Sequence, residues 1–236
     1  MPVNEPILEF KRGSPERIAV EKQIKAYRST PTEIPLLIGG KEIHTATKKQ
    51  AVIPHEHKHV LANYSVATED HIHEAIEASM KAKERWEAVP LAERISIFGR
   101  AADMLATTHR AKILAATMLN QSKNFFQAEI DASCELIDFW RFNNYFAAEL
   151  EHTQPISSTG VWNRLQYRPL EGFVYAITPF NFTAIGGNLV GTPALMGNTV
   201  LWKPSEYSML SNWVTLQVMR EAGLPDGVVN FVPGAP

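Results

Sequence analysis

Cysteine is the scarcest residue in this 236-residue chain, which contains a single one, Cys134. One cysteine excludes an intramolecular disulfide, and so low a count is typical of a reducing compartment. No apolar run approaches the roughly 20 residues that cross a bilayer. The first residues show neither a signal-peptide core nor a transit-peptide pattern. We therefore expect a cytoplasmic protein, or a protein of the mitochondrial matrix if the source is eukaryotic, with no membrane partner.

A surplus of charge of either sign is also absent. The chain has 23 lysines and arginines against 25 aspartates and glutamates, which gives a net charge of −2. Without a basic surplus, nucleic acid is not an expected partner. The hydrophobic fraction of 45% is enough for a substantial core. A soluble globular protein fits this profile.

The first 150 residues divide into two segments. Residues 1–31 are polar and rich in proline, so we expect an arm over the surface with one short helix in "SPERIAVEKQIKAY". Residues 32–150 begin with apolar flanks around Gly39 and Gly40, which predict a hairpin. The next strand-like stretch is interrupted at Pro54.

Helical signals fill the rest of that second segment. Thr68 is followed by two acidic residues and predicts a helix start, with the end near Trp86. Pro90 suits the first turn of a second helix. A third helix is predicted from about Phe125 to Glu149, with apolar residues at helical spacing.

The last 86 residues also form two segments. Residues 151–170 combine a loop with "VWNRLQYRPL", which alternates like an exposed strand. Residues 171–236 contain three apolar runs, "GFVYAIT", "TVLWK" and "GVVNFVP", each short enough for a buried strand. Two helices separate the runs, and the first is rich in small residues. This β-α-β-α-β order predicts part of a doubly wound parallel sheet.

Polar side chains follow the first two of these strands. In a parallel sheet with right-handed crossovers, strand ends meet at the edge where ligands bind. The G-x-G-x-x-G dinucleotide fingerprint is absent after the first strand, and Lys203 stands where an acid usually ends the second. Lys203 could donate to ribose hydroxyls and Glu206 could accept from them. Glu206 would also repel a 2′-phosphate, which favours NAD over NADP. The alternative is that Lys203 binds no ligand and that its methylene groups only cover apolar surface at the strand end.

The stretch "ITPFNFTAIGGNLVGTPALMGNTVLWKPSE" resembles the aldehyde dehydrogenase superfamily, and the likeness continues through "EAGLPDGVVNFVPG". Together with "QAEIDASCELIDFWRFN", these stretches are similar to the 1-pyrroline-5-carboxylate dehydrogenase family. The resemblance implies a Rossmann-like NAD-binding domain without the glycine fingerprint. It also implies oxidation of L-glutamate γ-semialdehyde to glutamate in proline degradation. Residues 151–170 would be a hairpin that pairs subunits of a homo-oligomer, a dimer or larger.

The resemblance also assigns roles to single residues. Asn181 matches the asparagine that stabilises the oxyanion, since an amide donates at any pH. Glu135 matches a position near the opening for the aldehyde substrate. The implied cofactor-binding residues all follow the first two strands of the last segment: Thr178, Pro179, Phe180, Lys203, Ser205 and Glu206. We further expect Phe180 and Phe182 to shield Asn181 from water.

Two groups that the family's chemistry requires are missing from the 236 residues. The family uses a cysteine, in a Gly-Gln-Cys or Gly-Gln-Lys-Cys context, to attack the aldehyde, and a glutamate to activate water. Neither context occurs here. Cys134 lies on an apolar helical stripe, which predicts an inert core thiol. The chain is thus expected to be an incomplete N-terminal part of the enzyme. The alternatives are a non-catalytic short product that joins full-length subunits, and a family member with another aldehyde substrate.

Histidines alternate in "PHEHKHV", where His55, His57 and His59 would share one face of a strand. Three such side chains could bind a metal, but no carboxylate or thiol accompanies them to complete a site. The preferred interpretation is a solvated polar face. No metal site is predicted.

Overall fold

Two sheets organise the protein, whose computed structural model describes residues 1–234. The strands found in this range are β1 Thr32–Ile34, β2 Leu36–Ile38, β3 Lys41–Ile43, β4 Lys48–Ile53, β5 Glu56–Ser65, β6 Val174–Ile177, β7 Val200–Lys203 and β8 Val229–Phe231. The larger sheet has the order β3-β2-β8-β7-β6, and the smaller has the order β1-β5-β4.

Helices pack on these sheets and on one another. The α-helices in the described range are α1 Pro15–Ser29, α2 Glu69–Trp86, α3 Leu91–Ala106, α4 Arg110–Gln121, α5 Phe125–Ala128, α6 Leu136–His152, α7 Thr183–Leu195 and α8 Met209–Glu221. A π-helical segment, Glu129–Glu135, joins α5 to α6, and a short 3₁₀ turn covers Glu206–Ser208. None of the helices within residues 1–234 is long and apolar enough to cross a membrane.

The parallel part of the larger sheet follows the predicted order. β6, β7 and β8 pair in parallel, with α7 and α8 as the crossovers. The predicted hairpin is also present, and Gly39 and Gly40 take the positive φ angles of 57° and 85° that its turn requires. β2 pairs antiparallel with β8, so this hairpin extends the parallel sheet. The sequence did not indicate that pairing, because it joins residues almost 200 positions apart.

The helix starts at Thr68 and Pro90 are confirmed. The Thr68 side chain accepts from the His71 backbone N–H, and α2 ends at Trp86 as predicted. Pro90 directly precedes α3. The sequence interpretation missed α4 altogether, whose buried residues mix apolar side chains with Arg110, Thr117 and Asn120. One continuous helix was predicted from about Phe125 to Glu149. This prediction is wrong in one respect, because the π-helical segment interrupts the α-helical hydrogen bonding between α5 and α6.

β6 was expected to be buried on both faces, and this prediction is wrong. Ala176 is buried, but Tyr175 and Ile177 are 52% and 61% exposed. β6 pairs with β7 along one edge only and lies at the end of the sheet. Tyr175 and Ile177 are two residues apart and therefore share one face of the sheet, which is open at β6.

Residues 151–170 have the outline of a hairpin but contain no strand, so the strand predicted in "VWNRLQYRPL" is wrong. Gly160 turns the chain with a φ of 78°. The Gln154 side chain then accepts from the Leu165 backbone N–H at 2.8 Å, and Ser157 accepts from Asn163 at 3.0 Å. Side chains thus take up N–H groups that a neighbouring strand would otherwise bond.

The N-terminal segment is anchored more deeply than a surface arm. Phe10 is buried and stacks on Phe125. The Glu5 carboxylate lies 2.6 Å from both Arg110 and Arg141. Because an ion pair with so little solvent contact is costly to break, these bonds fix the arm to α4 and α6.

Helix α7 approaches its neighbours too closely for side chains at several positions. A Cβ added to Gly187 would lie 2.6 Å from Leu136 Cδ1. A Cβ added to Gly191 would lie 2.7 Å from Trp140 Nε1. The small residues therefore allow α7 to pack against α6, and this contact sets where the loop before α7 lies.

This packing predicts that Gly191→Ala lowers the free energy of unfolding by about 1–3 kcal/mol, because the added methyl overpacks a closed contact. Gly99→Ala is the matched control. Gly99 is also inside a helix, but its nearest new contact would be 3.8 Å away. There the gain in helix propensity should leave stability unchanged or raise it by about 1 kcal/mol. Urea unfolding followed by tryptophan fluorescence measures both, and a Gly191→Ala protein as stable as Gly99→Ala would contradict the prediction.

Candidate functional site

A cavity of about 240 Å³ opens at the carboxyl ends of β6 and β7. The parallel pairing of these strands brings together two stretches that are more than 20 residues apart in the chain. The lining includes every residue predicted to bind a cofactor: Thr178, Pro179, Phe180, Lys203, Ser205 and Glu206. Tyr207 and Gly234 complete much of the remaining wall.

Backbone and side-chain bonds hold the two strand ends in register. The Thr178 N–H donates to the Lys203 carbonyl oxygen at 3.2 Å, which extends the parallel pairing by one residue. Trp202 Nε1 donates to Thr178 Oγ1 at 2.9 Å, and both side chains are buried. The Thr178 hydroxyl is thus engaged inside the protein, so Thr178 can meet a ligand in the cavity chiefly through its backbone.

Glu206 is held at the cavity by groups from outside the parallel sheet. Tyr64 on β5 donates its hydroxyl to Glu206 at 3.3 Å, and the Lys49 ammonium lies 3.7 Å from the same carboxylate. Burial and the negative charge of Glu206 raise the pKa of Tyr64, so its hydroxyl stays a donor. Ser205 begins the 3₁₀ turn by accepting from the Tyr207 N–H. No local pattern in the sequence indicated that Tyr64 supports this site.

Lys203 is half-buried and lies at the same cavity as Glu206. Across residues 1–234 no carboxylate pairs with its ammonium group. A cation and a carboxylate on one cavity wall can donate to one hydroxyl and accept from another. This donor and acceptor set fits the two hydroxyls of a ribose.

Asn181 follows the lining residue Phe180 and lies in the exposed loop between β6 and α7. Its backbone carbonyl oxygen accepts from Lys123 Nζ at 2.6 Å. Phe180 and Phe182 are 54% and 38% exposed, so the expectation that they shield Asn181 from water is wrong. Each ring packs on one neighbour instead: Phe180 on Tyr207, and Phe182 under the Lys123 ammonium.

Glu135 lines a different and larger cavity of about 770 Å³, next to the π-helical segment and α6. Desolvation raises the pKa of the Glu135 carboxyl, the negative charge of Asp131 adds to the rise, and Lys123 opposes it. The two cavities share no lining residue within the described chain. Glu135 therefore does not join the strand-end cavity, although Lys123 acts electrostatically on it and also contacts Asn181.

Cys134 is buried, as predicted, but its surroundings are not only apolar. Its sulfur lies 3.7 Å from Arg110 Nη2 and 3.8 Å from Glu129 Oε1. Desolvation, followed by the negative charge of Glu129, raises the pKa of the thiol to about 12. A thiol in this state is a poor nucleophile.

The histidines of "PHEHKHV" do not share one strand face, because His55 precedes β5 and contacts Ser122. His59 lies 3.8 Å from Glu56. Throughout residues 1–234, no three His, Cys, Asp or Glu side chains come close enough together to hold a metal ion.

The sequence interpretation also missed Asp131 and Lys123. Asp131 is buried, accepts hydrogen bonds from the first turn of α7 and pairs with Lys123. Asp131 shares its helical spacing with the acids Glu135 and Asp138, so no local pattern marked it. Its partners in α7 lie about 50 residues further along the chain, so only the folded structure identifies them.

Comparison with known proteins agrees with this geometry. A family model described as "Aldehyde dehydrogenase family" matches residues 43–236. A probable delta-1-pyrroline-5-carboxylate dehydrogenase of Schizosaccharomyces pombe is 51% identical over 233 residues, which are 98% of this chain and 42% of that protein. The mitochondrial delta-1-pyrroline-5-carboxylate dehydrogenase of Homo sapiens is 50% identical over 230 residues, covering 98% of this chain and 41% of that protein.

Solved structures give the same result. The delta-pyrroline-5-carboxylate dehydrogenase of Mycobacterium tuberculosis bound with NAD superposes with a TM-score of 0.97 at 51% identity, covering 99% of this chain and 44% of that one. A Thermus 1-pyrroline-5-carboxylate dehydrogenase with bound NAD gives a TM-score of 0.90 at 28% identity, covering 100% and 46%. The predicted α/β fold with a partial NAD-binding domain is confirmed. The chain spans about two fifths of the length of the curated relatives described above, 42% and 41%.

The environment of Cys134 predicts that the folded protein reacts very slowly with Ellman's reagent at about pH 8, because a pKa of about 12 leaves almost no thiolate there. The same protein in concentrated urea should release about one equivalent of thionitrobenzoate, since the unfolded thiol has a pKa of about 8.5. Cys134→Ser provides the blank. Rapid reaction of the folded protein at a rate similar to that in urea would contradict the burial of this thiol.

Proposed function

Because the chain belongs to the aldehyde dehydrogenase family, we propose that it forms the N-terminal part of an NAD-dependent enzyme that oxidises L-glutamate γ-semialdehyde to glutamate, in proline degradation. The observation that carries the proposal is the single cavity at the ends of β6 and β7. Its lining contains all six predicted cofactor residues, and Asn181 directly follows one of them, Phe180, in the chain. The names of the relatives, including those solved with NAD, support the substrate and the cofactor.

Lys203 and Glu206 are the residues that would hold the ribose next to the adenine of NAD. The Lys203 ammonium would donate to one ribose hydroxyl, and the Glu206 carboxylate would accept from another. The 2′-phosphate of NADP is negatively charged, so the Glu206 carboxylate would repel it. This repulsion favours NAD over NADP. The bound cofactor would supply the hydride acceptor.

Asn181 would contribute a hydrogen bond to the aldehyde oxygen. Negative charge grows on this oxygen when a nucleophile adds to the carbonyl carbon, and a donor fixed near it lowers the barrier. The amide of Asn181 carries no charge of its own. It can therefore stabilise the transient oxyanion without binding the carboxylate product as tightly as a cation would.

The nucleophile and the general base would come from sequence outside residues 1–236. Cys134 is the only cysteine, and burial with a raised pKa prevents it from attacking an aldehyde. Glu206 is engaged with Tyr64 at the cofactor cavity. Residues 1–236 would thus provide the cofactor ribose contacts and the oxyanion donor, while a further domain provides the covalent chemistry. Glu135 would line the approach of the aldehyde in the separate, larger cavity.

The segment 151–170 would pair with a second copy of the chain. Its most exposed apolar side chains, Ile156 and Trp162, are 92% and 78% exposed. Apolar groups so open to water favour an interface.

For a bacterial source we propose a cytoplasmic location, and for a eukaryotic source we propose the mitochondrial matrix. The human relative is named as a mitochondrial protein, which supports the second location.

The catalytic proposal predicts that a full-length protein carrying these residues reduces NAD, in preference to NADP, when given glutamate semialdehyde. NADH absorbance measures the rate. Asn181→Ala should lower kcat by about 10²- to 10³-fold, because the oxyanion loses a donor. Asn63→Ala, which removes an amide that bonds Glu33 and is not part of the cavity lining, should leave the rate unchanged. The isolated 236-residue chain should show no turnover, and robust turnover by it would contradict the assignment of the nucleophile to another part of the protein.

The interface proposal predicts that Ile156→Ser combined with Trp162→Ser shifts the full-length protein to a smaller assembly in light scattering after size exclusion. Phe126→Ser is the control, since Phe126 is also 65% exposed but lies outside the segment. It should leave the assembly unchanged. An unaltered mass for the double variant would overturn the role of this segment.

A further inference from the structure

We propose that Asp131, acting through Lys123, is a positioning residue that holds Asn181 in place for catalysis. The inference rests on the proposed function, since Asn181 matters here as the oxyanion donor. Asp131 lies 50 residues before Asn181, does not line the strand-end cavity, and makes no hydrogen bond with Asn181 in the described part of the chain. Its effect would pass through one ammonium group and the first turn of α7.

Asp131 acts as the N-terminal cap of α7 from another helix. Its Oδ2 accepts from the Thr183 N–H at 3.0 Å, and its Oδ1 accepts from the Ala184 N–H at 2.9 Å. These N–H groups have no acceptor within α7. The residue directly before the helix is Phe182, whose side chain cannot cap it. The remote carboxylate therefore fixes the backbone that closely follows Asn181.

Lys123 connects that carboxylate to Asn181. Its Nζ lies 2.6 Å from Asp131 Oδ2 and donates to the Asn181 carbonyl oxygen at 2.6 Å. The same ammonium sits 4.2 Å from the centre of the Phe182 ring. Both charged side chains are largely buried, with 15% exposure for Lys123 and 1% for Asp131. Charge-assisted bonds with so little water are stronger than exposed ones.

Asp131 lies in the π-helical segment and bonds the start of α7 from there. Glu129 and Asp131 are two residues apart and both buried, but they bond in different directions. Glu129 pairs with Arg110 of α4, while Asp131 faces the start of α7. Wide turns of this kind occur often at functional sites. The segment also carries Glu135, so the Asp131 bonds fix the Asn181 loop relative to the larger cavity as well.

A simpler cap was available at lower cost. Serine, aspartate or asparagine at position 182 would cap α7 locally, without burying a charged pair. The protein instead keeps Phe182 there and buries an aspartate and a lysine. The arrangement secures the loop of Asn181, which is otherwise exposed and has open aromatic neighbours. An oxyanion donor is effective only when its position is fixed before the reaction.

The test is steady-state kinetics of Asp131→Asn in the full-length protein, alone and combined with Asn181→Ala. Asp131→Asn should lower kcat by about 10- to 100-fold, less than the loss of the donor itself, and should change KM for NAD by less than about twofold. In the Asn181→Ala background it should lower kcat no further, because the group that it positions is gone. Lys123→Met should behave in the same way. Lys123→Arg keeps the positive charge and the hydrogen-bond donors, so it should retain most of the wild-type kcat.

Glu129→Gln is the matched control. It neutralises an equally buried carboxylate in the same π-helical segment. Glu129 pairs with Arg110, and within residues 1–234 it makes no hydrogen bond or ion pair with α7. The Glu129→Gln variant should lower the melting temperature but keep the kcat of the folded protein. If Asp131→Asn does not fold, Lys123→Met carries the same comparison.

Three outcomes would overturn the inference. An unchanged kcat in Asp131→Asn or in Lys123→Met would show that Asp131 does not position the donor through Lys123. An equal loss with the Asn181 amide present and in the Asn181→Ala background would show a purely structural role. A wild-type protein without aldehyde oxidation would overturn the proposed function and this inference together, whereas an active wild type with an unaffected Asp131→Asn variant would overturn this inference alone.

Discussion

The buried ion pairs of the π-helical segment are the interaction on which the rest of the structure depends. Glu129 binds Arg110, which in turn binds Glu5 of the N-terminal segment. On the other side of the same segment, Asp131 binds the first turn of α7. Removing one partner of such a pair leaves a buried charge and typically costs about 3–5 kcal/mol. Residues from three distant parts of the sequence are thus joined through one short π-helical segment.

The close packing of α7 converts that connection into a site. Because Gly187 and Gly191 let the helix approach Leu136 and Trp140, the end of β6 and the start of α7 have a fixed position against α6. The parallel pairing of β6 with β7 then brings Lys203 to the same cavity as the residues before Asn181. Helix packing and sheet pairing together place a cation, a carboxylate and an uncharged amide at one edge of the sheet.

Apolar surface remains open on β6 and along residues 151–170. Tyr175 and Ile177 on β6 and the two large apolar side chains of the hairpin-like segment face water. Open apolar surfaces of this kind favour association with another stretch of polypeptide. They agree with a chain that spans about two fifths of the length of the curated relatives it matches.

The sequence by itself determined the local features: the caps at Thr68 and Pro90, the glycine turn at Gly39, the β-α-β-α-β order and the two polar strand ends. These depend on neighbouring residues, whose propensities and periodicity can be read directly. Only the tertiary structure decided which strand is an edge, that the hairpin continues the parallel sheet, and that Tyr64 and Asp131 support the site. These contacts join residues from about 50 to almost 200 positions apart, and their energies arise from packing and buried charge, which no local pattern records. The same reason explains why β6 was mistaken for a buried strand, since its apolar run indicates hydrophobicity but not how many neighbours cover it.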